Sequence, residues 1–142
     1  MSRHEESRHL PYSAEQMFDL VADVDSYPDF LPWCAGARVF DRKEGELKAD
    51  LLIGFQMFKE RFTSHVHLER PEHIHVDYVS GPLKFLYNDW RFADADGGCH
   101  VDFMVDFQFR QKLFQRLAGA VFTEAVHRMV ASFEKEARRR YG

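Results

Sequence analysis

A chain of 142 residues suffices for one domain that buries roughly two thirds of the surface its unfolded form exposes. With 19 Lys and Arg against 23 Asp and Glu, the formal net charge is -4, which excludes a protein that grips nucleic acid by overall basicity, so no DNA partner is expected. The aromatic residues are 14 Phe, 5 Tyr and 2 Trp, a choice that supplies apolar area with few polar groups needing partners and predicts a wide apolar interior.

The opening MSRHEESRHL has no apolar centre of a signal peptide, and no run of about eighteen apolar residues offers a membrane span. A cytoplasmic protein is expected, with at most peripheral contact at the inner membrane. Residues 3–10 read as a polar edge strand. Ser13 can then cap a helix with Gln16 in the capping-box position, and SAEQMFDLVADV places Met17, Leu20, Val21 and Val24 on one face. Pro28 should stop this helix and restrict Tyr27 before it.

From Arg38 the period becomes strand-like, with turn signals at KEG, ERPE, SGP and DADGG dividing about six alternating runs. The inferred inward sets are Leu47, Ala49, Leu51 and Ile53, then Phe62, Ser64, Val66 and Leu68, then Ile74, Val76 and Tyr78. Asn88 shares parity with Leu86, Trp90 and Phe92. The clearest run alternates Val101, Phe103, Val105, Phe107 and Phe109 with His100, Asp102, Met104, Asp106 and Gln108. After Arg110 a helical period returns, with Leu113, Leu117, Val121, Ala125, Met129 and Phe133 along a stripe that Phe114, Ala118, Phe122, Val126 and Val130 widen. The order of strand, broken helices, antiparallel strands and one long helix is an α+β layout in a single domain, residues 1–142.

Polar constellations give no chemistry that stands out. His65-x-His67 and His73-x-His75 flank ERPE and could hold zinc if the hairpin register brought them together. Their parity points them to solvent, and no Cys or carboxylate is seen to accompany them, so no metal is expected. Asp102 and Asp106 share a face but lie about 13 Å apart along a strand, and both should solvate the outer sheet. Asp94, Asp96, Gly97 and Gly98 form a turn, not a phosphate cradle. Cys34 and Cys99 have no CxxC spacing and read as reduced thiols. Lys135, Arg138, Arg139 and Arg140 suit the negative end of a helix dipole, or alternatively a patch for anionic lipid or RNA phosphates. With no nucleophile and base in view, no enzyme is expected.

Several stretches carry a resemblance. HLPYSAEQMFDLVADVDSYPDFLPWC, KERFTSHV, GPLKFLYNDWRF, VDFMVDFQF and FEKEARRRYG together resemble the coenzyme Q-binding proteins of the START-like, polyketide cyclase/dehydrase-like superfamily, over nearly the whole chain. Gln111, in FRQKLF, departs from the small residue expected there. The resemblance implies a helix-grip fold, a curved antiparallel sheet of about six or seven strands around the C-terminal helix, with short helices after the first strand. It also implies a hydrophobic tunnel between sheet and helix, where the apolar stripes alone fit a solid core better.

What the family implies for function is a carrier of ubiquinone or a similar prenylated lipid that supports respiration, with no cofactor required. The alternatives are a toxin-like factor that binds the ribosome, at the 50S subunit, and hinders subunit joining, or a cyclase-like enzyme using the same cavity. In the first reading Tyr78 and Asn88 offer donors to a quinone head, with Ser64 as a third inward polar group. Val66, Val76, Trp90, Phe103 and Val105 would line the tunnel from the sheet, and Val121, Phe122, Ala125 and Met129 from the helix. In DVDSYPDFLPWC, residues 23–34, the two prolines bend the chain so that Tyr27, Phe30, Leu31 and Trp33 turn inward, as a lid or as a plain aromatic plug.

Overall fold

Turn chemistry and capping divide the chain where the sequence suggests. In the computed structural model of the protein the described residues are 2–55 and 58–142, less the side chains of residues 2, 55, 58, 114 and 117–125. Strand β1 (Ser2–Leu10) leads to helix α1 (Ala14–Ala22), a single 3-10 turn (Val24–Ser26) and the one-turn helix α2 (Tyr27–Phe30). Six strands follow: β2 (Cys34–Lys43), β3 (Glu46–Phe55), β4 (Phe58–Glu69), β5 (His73–Ser80), β6 (Leu83–Ala95) and β7 (Gly98–Phe109). Helix α3 (Lys112–Tyr141) closes the chain.

Ser13 caps α1 as expected: its Oγ accepts from the Gln16 amide at 3.1 Å, and the Gln16 side chain accepts from the Ser13 amide at 2.9 Å. Asp94 adds a second cap by accepting from the Ala14 amide at 2.9 Å, which fixes the start of α1 to the end of β6. The helix buries Met17, Leu20 and Val21 at 1%, 0% and 1% exposure, matching the predicted face.

The seven strands form one antiparallel sheet in the order β1-β7-β6-β5-β4-β3-β2. All neighbours in sequence pair except across the first crossover, so β1 zips onto β7, the last strand. Gly98 makes that junction feasible, because a Cβ there would lie 1.8 Å from the carbonyl oxygen of Leu10. The predicted inward residues do face inward: Leu47, Ala49, Ser64, Val66, Ile74, Trp90, Phe92, Val101 and Phe103 are all buried in one core. The curved sheet and the helix against its concave side make the helix-grip architecture.

Three expectations change. Strand β2 starts at Cys34, ahead of Arg38, because the Gly54 amide donates to the Trp33 carbonyl at 2.7 Å and draws the chain into the sheet at once. Leu113 is 61% exposed; it sits in the first turn of α3, four residues beyond the end of β7, and the stripe that packs is Val126, Val130, Phe133 and Ala137. Asp106 is 6% exposed, not solvated, since pairing with β1 brings Arg3 to within 3.7 Å and covers it. At 30 residues, α3 is about 45 Å long.

Candidate functional site

The bent segment between α1 and β2 lies where residues 23–34 predict, against the C-terminal half of α3. Tyr27 keeps helical dihedrals, φ -52° and ψ -42°, although a following proline disfavours them. Its anchors explain this: the phenol donates to the Val21 carbonyl, and its ring meets Phe133 edge-on at 5.5 Å. Phe30 meets the same Phe133 at 5.3 Å, while Leu31 is 2% exposed. Phe30 and Trp33 are half-buried and pack on the core. Arg140 of α3 reaches Asp23 at 3.1 Å, and Arg42 of β2 reaches Asp25 at 3.2 Å. The segment is thus clamped from both sides.

Burial across the concave face is graded. Register places Ile74 opposite Trp90 and Trp90 opposite Phe103, all 6% exposed or less. Two residues along each strand, Val76, Asn88 and Val105 form the next cross-strand row and are only half-buried. Tyr78, Leu86 and Met129 are likewise half-buried. Apolar surface facing the concave side therefore stays partly open there. Val121, Phe122 and Ala125, expected on the helical wall, lie outside the described residues.

The inward polar groups are held within the protein. Asn88 donates to the Met104 carbonyl at 2.8 Å and accepts from the Trp90 indole at 3.3 Å. Ser64 donates to the Ala49 carbonyl at 3.5 Å. Tyr78 Oη accepts from the Leu83 amide at 3.0 Å, a bond that leaves the hydroxyl proton to donate elsewhere.

A cavity of about 20 Å³ lies where Leu10, Met17, Trp90, Val101, Phe103, Val130 and Phe133 meet Glu6, Arg8 and Glu134. That is room for about one water. Its charged side belongs to a network that sequence reading missed: β1 was read as a polar edge strand, but His4, Glu6 and Arg8 share the parity of buried Leu10 and face α3. Arg8 donates to Glu134 at 2.6 Å and to Glu6 at 2.9 Å, and His4 and His127 each lie 3.5 Å from Glu6. The hydrogen bond to Glu134 and the Glu6 charge raise Arg8 further above its ordinary pKa, outweighing burial. The signal was available in the alternation of residues 4, 6, 8 and 10.

On the convex face the paired histidines point outward, as parity requires, and here the expectation of no accompanying carboxylate fails. Cross-strand register sets Glu46 beside His67, His67 beside His75, His75 beside Asp89, and His65 beside Asp77. Burial opposes the charged form of His75, yet hydrogen bonds to Asp89 and Asp77 prevail and raise its pKa.

At the C-terminus, Arg139 and Arg140 both bind Glu136, at 2.6 and 2.8 Å. The Arg139 guanidinium, with Arg140 beside it, holds the Glu136 carboxyl at about 2. Both cations are therefore paired within the protein, Arg140 partly buried and Arg139 on the surface, where Lys135 and Arg138 are also exposed. Cys34 and Cys99 are free and buried. Burial, with Asp94 adding, pushes the Cys99 thiol up to about 11, so the neutral form dominates near neutrality. Among the described residues, no helix is long and apolar enough to cross a membrane.

Comparison with known proteins gives consistent results. A family described as "Polyketide cyclase / dehydrase and lipid transport" matches residues 10–134. The mitochondrial "Coenzyme Q-binding protein COQ10 homolog B" of Xenopus laevis is 38% identical over 98% of this chain, which spans 59% of that protein's length. The "Ribosome association toxin RatA" of Escherichia coli is 37% identical over 93% of this chain and 84% of its own. Among solved structures, the Zhui aromatase/cyclase from Streptomyces sp. R1128 superposes with a TM-score of 0.86 at 18% identity, covering 99% of this chain and 96% of that one. That likeness is one of fold.

Proposed function

The chain belongs to the polyketide cyclase / dehydrase and lipid transport family, and on that premise we propose that it binds ubiquinone or a similar prenylated lipid without chemical conversion. The carrying observation is the graded concave face, where Val76, Asn88 and Val105 remain half-open beside the closed row of Ile74, Trp90 and Phe103. An accessible apolar surface inside a fold is a place for a ligand. Each buried CH₂ would contribute about 0.8 kcal/mol, so a few isoprene units give useful affinity by partitioning alone. Tyr78 would donate its hydroxyl proton to a quinone carbonyl, and Asn88 would exchange an internal bond for one to the head group.

The cavity of about 20 Å³ is far below the roughly 300–1,000 Å³ of a ligand pocket. Admission therefore requires the segment around Phe30 and Trp33 to part from Phe133, which gives those residues the role of a lid. Delivery would involve transient contact with the inner-membrane surface. Lipid extraction and mass spectrometry of protein purified from quinone-producing cells tests the reading: a co-purifying quinone is expected, and a clean apo protein overturns it. In the same assay Val76→Asp should lower retention at least tenfold, while unchanged retention in both Asn88→Leu and Tyr78→Phe would remove their roles.

A second reading rests on the identity to the ribosome association toxin over most of both chains. Exposed Lys135 and Arg138 would then face ribosomal RNA. Co-sedimentation with 50S subunits that weakens steeply as salt rises would favour it, and absence of sedimentation at low salt would reject it.

A further inference from the structure

The convex face of the sheet, opposite the lipid surface, carries a cluster that lipid binding does not use. Two His-x-His pairs lie on adjacent strands β4 and β5, flanked by Glu46 on β3 and Asp89 on β6, with Asp77 between them. Two groups of three place their ligand atoms within 4.8 Å of one another: Glu46, His65 and His67, and His73, His75 and Asp89. The second group is the better built.

In it His73 Nε2 and His75 Nδ1 converge on one oxygen, Asp89 Oδ1, at 2.7 and 2.9 Å. The other nitrogen of each ring faces a carboxylate. His75 Nε2 is 2.8 Å from Asp77, and His73 Nδ1 is 3.6 Å from Glu69. Carboxylates behind ligating imidazoles fix the ring and raise its basicity, the usual outer shell of a zinc site. Arg91 lies 3.5 Å from Asp89 Oδ2, which leaves Oδ1 to the imidazoles. The ligands are half-buried, with side chains 18%, 38% and 21% exposed for His73, His75 and Asp89.

We propose that His73, His75 and Asp89 bind one divalent ion of the zinc class, with Asp77 and Glu69 as supporting groups and water at the remaining position. Zinc bonds of about 2.0–2.2 Å set ligand atoms about 3.3 Å apart in a tetrahedron, so the two nitrogen-to-oxygen spacings of 2.7 and 2.9 Å need open by only about half an ångström. Two neutral nitrogens and one carboxylate suit zinc better than magnesium or calcium. The ion would join β5 to β6, whose ladder pairs only His73 to Asp77 with Tyr87 to Arg91.

Zinc competition against a chromophoric chelator, with the full chain, tests this. One equivalent should bind, and the melting temperature should rise with Zn²⁺ because the ion binds the folded form. His73→Gln, His75→Gln and Asp89→Asn should each weaken binding at least tenfold, and Asp77→Asn about tenfold, while His65→Gln, in the neighbouring group, should change it less than twofold. The Co²⁺ derivative should show tetrahedral bands without thiolate charge transfer. No binding at millimolar Zn²⁺, thiolate bands, or binding that survives in His73→Gln and Asp89→Asn would overturn the proposal.

Discussion

Glu136 shows how much one buried charge can depend on its neighbours. Its carboxyl falls from an ordinary 4.5 to about 2 through Arg139 and Arg140, and Arg140 also ties Asp23 into the same network. A depressed carboxylate stabilises the fold above its unfolded pKa and loses that contribution as pH falls through the folded one. The melting temperature of the wild type should therefore decline between about pH 4.5 and 2, and Glu136→Gln should flatten that part of the profile. At pH 7 the same substitution should cost about 1–3 kcal/mol in urea unfolding, because it weakens the partners of Arg139 and Arg140. A second residue-scale expectation concerns Gly98, where a Cβ would meet the Leu10 carbonyl at 1.8 Å. Gly98→Ala should destabilise by more than about 2 kcal/mol, and a melting curve like that of the wild type would mean that β1 does not pair there. Residues of local logic were legible: Ser13 and Gln16 declare a capping box in four letters. Asp106 was not, since its burial comes from a strand a hundred positions away.

At the element scale, the bent segment and α3 act as a pair through Phe133, whose ring meets Tyr27, Phe30 and Trp90 at 5.5, 5.3 and 5.2 Å. Phe133→Ala removes all three contacts and should cost about 3–5 kcal/mol by denaturant unfolding. On the proposed lipid-carrier reading, loosening the segment should also speed quinone exchange, since the same contacts would hold the lid shut. In a Trp90→Phe background Trp33 reports alone, and its emission should shift on quinone binding; binding with silent Trp33 fluorescence would show that the lid does not move. Strand elements were legible from alternation and from the turns at Gly45, the ERPE loop, Gly81 and Gly97. β1 was legible as a strand but not as an inward-facing one, because His4, Glu6 and Arg8 look like surface residues until α3 brings Glu134 and His127 to them.

For the whole molecule, the sheet separates two chemistries: a concave face beneath α3 that is mainly apolar away from the charged edge at β1, and a convex face of imidazoles and carboxylates. Alternation assigns neighbouring residues such as His75 and Val76 to opposite sides, so zinc and quinone should bind independently, with quinone retention unchanged within about twofold by Zn²⁺. A larger effect would mean that the β5–β6 pairing transmits strain across the sheet. By itself the sequence determined the element types, the inward and outward faces of β3 to β6, the α1 cap and the family, because these depend on local periodicity and on motifs only tens of residues long. Only the tertiary structure decided that Asp77 and Asp89 join the histidines, that charge lines the cavity at β1, and that the space left beside Phe133 holds about one water. Those outcomes depend on strand register and on where α3 lies over the sheet, which are fixed by contacts between residues far apart in the chain.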